Sequence, residues 1–177
     1  MKRILFISVF SLAAVVITSC NKDDDNIVDN GNTPNATDNN FMTQAAYANR
    51  SEVELGQLAL TKSTNDSVKM FAQMMITDHN AAILSLDSIA GLYNYTLPSV
   101  PDSAHITVRD SLNVYTSYTF DTAYVNGQVR DHDRLISLYQ DEISNGNADT
   151  AQAYANRLLP ALQLHKQLAD TISTNLQ

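Results

Sequence analysis

Cysteine is nearly missing from this chain: the one in 177 residues is Cys20, which excludes any disulfide within the molecule. Glycine and proline are scarce, five and four, and tryptophan is absent. That leaves too little turn chemistry for a sandwich or barrel of short strands and favours helices. Positive charge is in short supply too. Eleven Lys and Arg face nineteen Asp and Glu, a net charge of −8, a poor match for phosphate backbones that argues against nucleic acid as a partner. No phosphate loop, dinucleotide fingerprint, nucleophile elbow or Cys–His pairing occurs in the sequence, so the reactions built on those motifs find no support.

What is present begins with an address. Lys2 and Arg3 precede an apolar run from Ile4 to Ile17, the length of a signal-peptide core and short of the roughly 20 residues a spanning helix needs. The run ends in Ile17-Thr18-Ser19-Cys20, which resembles a bacterial lipobox. Residues 1–19 are therefore expected to be a cleaved leader and Cys20 an acylated first residue, anchoring the mature chain to the membrane by lipid (palmitate among the acyl groups). Asn21-Lys22-Asp23-Asp24-Asp25 resembles an export signal to the outer membrane surface, and reads equally well as a solvated acidic spacer. Residues 20–40 carry few apolar side chains and are expected to form a disordered tether of about 25 Å. The expected location is the outer membrane, facing either the surface or the periplasm.

Residues 41–177 read as one all-α domain. Phe41, Ala45, Ala48, Glu52, Leu55 and Ala59 form one stripe at bundle-helix spacing. Val68, Ala72, Met75, His79, Ala82, Leu86 and Ile89 form a second, with Gly91 as a helix stop. Val125, Gln128, His132, Leu135 and Tyr139 mark a third helix expected from about Phe120, closed by Asn145-Gly146-Asn147. Ala151, Tyr154, Leu158, Ala161, His165, Leu168 and Ile172 mark a fourth, in which Pro160 removes the bond to the Asn156 carbonyl and favours a kink. Residues 92–119 are too many for a tight turn and carry a short helix from Asp102 to about Tyr115. Two hairpins joined by a long crossover is the connectivity of a ferritin-like four-helix bundle.

Each long helix places one imidazole or carboxylate on its inner stripe: Glu52, His79, His132 and His165. Buried without partners, such groups each cost a few kcal/mol, so they require each other, water or a metal. Three imidazoles and a carboxylate would suit one divalent ion, zinc or iron. The alternative is a hydrogen-bonded core network that sets helix register with no ion present. Depths counted along the helices, roughly 15, 22, 18 and 12 Å, are compatible with one mid-bundle cluster without establishing it. Residues three before the histidines are Ile76, Val129 and Leu162, so the Glu-x-x-His signature of carboxylate-bridged di-iron bundles is absent.

Four segments carry a family likeness. Glu52-Val53-Glu54-Leu55-Gly56-Gln57-Leu58-Ala59, Met75-x-x-Asp78-His79, Phe120-Asp121-x-x-Tyr124 with His132 following, and Leu159-Pro160-x-x-x-x-His165 together resemble the domain of unknown function 4142 family over about residues 41–172. The resemblance implies a ferritin-like fold, an envelope or secreted address, and no established activity. It adds Asp78 and Asp121 to the positions of interest, as groups that orient the inner histidines, although Asp121 also suits a helix start.

Two weaker patterns remain. Seven of the sixteen aspartates are followed by Ser or Thr and then Ala, Ile, Leu or Val, which resembles an O-glycosylation acceptor and is also what helix capping produces. Met70, Met74 and Met75 suggest a soft copper site or, more simply, core packing. The functions left open are a metal- or small-ligand-binding lipoprotein, a structural or partner-binding bundle, and an enzyme using a bound metal, in that order.

Overall fold

A computed structural model describes residues 33–176. The expected leader, Cys20 and residues 21–32 lie outside that range. Five helices follow in order: α1 (Ala36–Lys62), α2 (Asp66–Leu92), α3 (Ser103–Asn113), α4 (Ser117–Asn145) and α5 (Asp149–Asn175). Among the described residues there is no strand, and none of these helices is long and apolar enough to cross a membrane. The four long helices pack as a ring in which α1 lies beside α2 and α4, and α5 beside α2 and α4. Two hairpins with three-residue turns, joined by a crossover that carries α3 over α1 and α4, reproduce the expected bundle.

The helix starts follow from their caps. Asn35 Oδ1 accepts from the amides of Thr37 and Asp38 at 2.7 and 3.1 Å, and Asp38 Oδ2 accepts from the Asn35 amide at 2.6 Å. This reciprocal box starts α1 at Ala36, five residues before the expected Phe41, so the end of the expected tether is helical. Asn65 and Asp102 cap α2 and α3 through their side-chain oxygens, without the return bond. Asp102 is thus one of the seven Asp-Ser or Asp-Thr aspartates that does cap a helix, while Asp66 and Asp149 are first helical residues. The residue before α5, Ala148, has no side chain to offer. Its amide and that of Asn147 donate instead to Asp38, at 2.9 to 3.1 Å, so one carboxylate serves the first turn of α1 and the start of α5 together.

Three expected boundaries shift for identifiable reasons. Gly91 is not the stop of α2. The helix runs one residue further and closes with Asn94 in the left-handed region (φ 54°), where Tyr95 N–H reaches Ala90 O and Asn94 N–H reaches Gly91 O, a Schellman end with asparagine in the usual glycine place. α4 starts at Ser117, so Asp121 is a buried residue of its second turn rather than a cap. α5 passes through Pro160 without interruption. Its buried face is Ala151, Tyr154, Ala155, Leu162, His165 and Ala169, so the expected stripe holds at Ala151, Tyr154 and His165, while Ala161 and Leu168 are half-buried because a 3.6-residue helix drifts off a 3.5-residue stripe.

The interior divides into two apolar clusters. One holds Phe41, Leu86, Tyr139 and Tyr154 with seven of the buried alanines of α1, α2 and α5, and Phe41 meets the Tyr139 ring edge-on at 4.9 Å. The other holds Leu55, Val68, Phe71, Met75, Phe120, Tyr124 and Val125. Gly56 brings α1 close to α2: a Cβ there would stand 2.8 Å from Ile76 Cγ1 and 3.0 Å from Ala72 O. The three methionines of the suggested copper site do not converge, since Met75 is in this core and Met70 is 75% exposed. Between the two clusters lies a polar layer.

Candidate functional site

That layer is built from all four long helices. Asn49 and Glu52 come from α1, His79 from α2, Gln128 and His132 from α4, and His165 from α5, and every one is buried. The three imidazoles pack ring to ring, with centroids 5.8, 5.5 and 5.4 Å apart. One nitrogen of each ring lies within 4.8 Å of a nitrogen of each of the others. The expected depth spread of about 10 Å therefore collapses into a single level.

Each ring is oriented by a hydrogen bond to an acceptor oxygen. His79 Nδ1 donates to Asn49 Oδ1 at 2.7 Å, His132 Nδ1 to the Gln128 carbonyl at 2.9 Å, and His165 Nε2 to Asp78 Oδ2 at 2.9 Å. An acceptor on one nitrogen fixes the proton there and leaves a lone pair on the other. Those other nitrogens, His79 Nε2, His132 Nε2 and His165 Nδ1, are buried and have no hydrogen-bond partner. Burial, reinforced by the neighbouring imidazoles, holds His79 well below the usual histidine range and His132 at about 4. Both are neutral at physiological pH, the form that ligates metals.

Glu52 is not part of this cluster. Its Oε2 accepts from Gln128 Nε2 at 2.7 Å, and its Oε1 comes no nearer than 4.0 Å to His132, at the Nδ1 that is already bonded. The expected fourth ligand is therefore a buried carboxyl behind one ligand, pushed up by burial, against the Gln128 hydrogen bond, to about 8. Tyr124, whose hydroxyl has no partner, is pushed up by burial and by Glu52. Asp78 does orient a histidine, as expected. Asp121 does not: it precedes His132 by eleven residues, about 16 Å along the helix, and its Oδ1 has no partner. The remaining histidine, His105, bonds Asp102 at the start of α3 and takes no part.

The chemistry of the donor set fits a late first-row divalent ion. Three imidazoles pack together, each with one buried nitrogen that has no partner, and the opposite nitrogen of each is held by a carboxylate, an amide or a backbone carbonyl, the pattern that accompanies metal-ligating histidine. A shared ion at about 2.1 Å from each nitrogen would draw the rings in by roughly an ångström. Two of these orienting contacts escaped the sequence reading. Asn49 lies one turn before Glu52 on the same helix face, and a polar residue three positions from another on an inner stripe was the available signal. The Gln128 carbonyl left none, because a backbone acceptor has no identity in the sequence.

The family model described as Domain of unknown function (DUF4142) matches residues 28–172. The chain belongs to this family. No curated protein matches the DUF4142 chain. A solved structure does: the crystal structure of a DUF305 fragment from Deinococcus radiodurans superposes with a TM-score of 0.72 at 8% identity, covering 81% of this chain and 99% of that one. At that identity the likeness concerns the fold alone. The triad, the two acceptor side chains and Glu52 all fall inside the matched DUF4142 region.

Proposed function

We propose that this DUF4142 domain binds one divalent transition-metal ion, zinc or iron being the leading choices, through His79, His132 and His165. One observation carries the reading: three buried imidazoles lie with one nitrogen of each within 4.8 Å of the others, and every ring has one nitrogen bonded to an acceptor and one without a partner. An unsatisfied buried nitrogen costs about 1–3 kcal/mol, and three at one point are satisfied together by a single cation. Protein prepared without chelator is expected to carry close to one equivalent of metal by elemental analysis. Adding the preferred ion at about a hundred times its dissociation constant should stabilise it by roughly 2.7 kcal/mol, and His132→Ala should abolish that gain. No metal on the protein and no melting shift from zinc, iron, copper or manganese would end the proposal.

A second reading has its own support. The three rings already make edge-on and tilted contacts, and Glu52, Gln128 and His132 are linked, which suffices for a polar layer that fixes helix register. Under it, replacing His79 and His132 together by apolar residues of like size leaves the fold intact and changes no ligand binding.

We further propose that the domain is displayed from a membrane by lipid on Cys20, in the outer membrane of the envelope. The basic pair, the 14-residue apolar run and the single cysteine at its end support this. Cys20→Ala should move the protein from the membrane to the soluble fraction and remove the lipid increment from its intact mass. The same mass spectrum tests sugars on the seven Asp-Ser and Asp-Thr sites.

A further inference from the structure

A cleft of about 510 Å³ lies between α3 and α4, and none of the three clustered histidines lines it. Its size is that of a small-molecule site, roughly 300–1,000 Å³. α3 forms one wall without closing the space, since Leu112 is its one buried side chain. Gly127 of α4 forms part of the floor. It is itself buried, yet a Cβ built on it would meet only Arg130 Nη2, at 3.9 Å, where the exposed Arg130 side chain folds back along α4. An alanine would fit there without moving anything, and glycine inside a helix lowers its stability. α4 thus bears a glycine that its own packing does not need, and what it gains is room in the cleft.

The hydrogen-bonding groups around the cleft are unevenly spent. The hydroxyls of Thr107 and Ser111 donate to the carbonyls of Ser103 and Thr107, each at 2.8 Å, and Asn126 Oδ1 accepts from the Ser173 hydroxyl at 2.7 Å. What remains is rich in donors: among the described residues the Arg130 guanidinium, the Asn126 amide N–H groups and the Tyr115 hydroxyl make no hydrogen bond. The wall also holds one carboxylate, Asp131, which Arg134 engages at 2.7 Å. Two arginines against that single carboxylate leave one positive charge over, in a chain whose net charge is −8. Val108, Leu112, Ala123 and the Tyr115 ring supply the apolar part of the lining.

We propose that the α3–α4 cleft binds a small organic monocarboxylate with an aromatic or branched apolar body, its carboxylate held by Arg130 and Asn126 and its body lying over Gly127 against Val108 and Leu112. A guanidinium offers a planar fork of donors that a carboxylate meets with two parallel bonds. Unspent donors call for a ligand that accepts, and the apolar lining calls for one that is more than an inorganic ion. The single spare positive charge matches a monoanion. A phosphate monoester carries nearly two negative charges at neutral pH, and Asp131 in the wall opposes the second. The inference is independent of the metal reading, because no member of the histidine triad borders the cleft.

The test uses the full mature chain with 2-naphthoate as probe, titrated by saturation-transfer NMR. The acid should bind saturably at one site per protein, and its uncharged amide, 2-naphthamide, at least tenfold more weakly. Arg130→Gln, a change of an exposed side chain that leaves the core alone, should weaken the acid tenfold or more and bring it level with the amide. Gly127→Leu fills the floor and should weaken acid and amide alike, whereas Gly127→Ala should raise the melting temperature and weaken the acid less than leucine does. No saturable binding of 2-naphthoate at millimolar concentration overturns the proposal. Equal binding of acid and amide by the native chain overturns the role given to Arg130. Binding undiminished in both Arg130→Gln and Gly127→Leu overturns its placement in this cleft, and tighter binding of 2-naphthyl phosphate overturns the choice of a monoanion.

Discussion

At the end of the bundle where α1 begins, Asp38 is fully buried and its carboxylate takes three backbone amides, from Asn35, Asn147 and Ala148. At the waist, three fully buried imidazoles aim an unpaired nitrogen each at the same space. Both regions put polar groups where water cannot reach, and both hold a glutamate, Glu142 beside Asp38 and Glu52 beside His132, raised to about 8 mainly by burial. They differ in where their partners come from. The end supplies the partners of Asp38: burial pushes its carboxyl up, but the amides of Ala148, Asn147 and Asn35 outweigh it and keep it below its ordinary range, although both carboxyl oxygens of Glu142 beside it are buried without a partner. The waist sets its own acceptors on the outer nitrogens and leaves the inner three for something brought from outside. A carboxylate met by three amides is architecture, whereas three imidazoles each left with one bare nitrogen invite a partner from outside.

The largest expected effect breaks the self-sufficient end. Asp38→Ala removes a charged acceptor shared by two helix starts and should cost about 3 kcal/mol in urea unfolding. A loss under about 1 kcal/mol would show that the cap carries little. Next comes pH, for the metal-free protein. Between about 4.5 and 6.5 the two glutamates, protonated only in the folded state, oppose His79 and His132, protonated only in the unfolded state, and stability should be nearly flat. From about 6.5 to 8 only the glutamates still differ. The folded state holds protons that the unfolded chain has released, so stability should fall with rising pH by roughly 2–4 kcal/mol. Glu142→Gln should remove about half of that slope, and an unchanged slope would place the buried proton elsewhere.

Smaller effects sharpen the contrast at the waist. Asn49→Ala frees the His79 tautomer and should weaken metal binding by about 10–100-fold, with less change in unfolding free energy than Asp38→Ala causes. Asp78→Asn keeps an acceptor on His165 and should fall at the low end of that range. Equal affinity in both variants would mean that the outer nitrogens do not govern the site. The smallest effect lies outside both regions. Arg109 joins α3 to Glu54 of α1 at 2.8 Å across a half-exposed surface, and Arg109→Ala should cost under about 1 kcal/mol, visible chiefly as faster hydrogen exchange in α3.

The bundle was legible because its core is regular. Apolar residues at heptad spacing named the four helices, and an imidazole on each of three inner stripes named His79, His132 and His165. Spacing gives the direction of a side chain, and reach depends on how the helices are staggered. Glu52 points inward as read, yet Gln128 lies in its path and holds it behind His132. Asp121 failed on the same ground, since its helix begins three residues earlier than Phe120 suggested. The start of α1 was hidden by composition: residues 35–40 are all polar except Ala36, while the box that folds them is written in Asn35 and Asp38. The tie from Asp38 to Ala148 spans 110 residues, and no local pattern announces a cap supplied from that far away.

That tie has a mechanical consequence. Tension arriving from the N-terminal side of residue 33 meets the bundle at Asn35, whose side chain grips the Asn145 carbonyl, and then at Asp38, which grips the next turn. The load passes at once into the α4–α5 hairpin and does not peel α1 away one turn at a time. Load entering from that side is thereby taken up where it arrives, and the histidine level, ten residues or more further along each rod, is shielded from the pull.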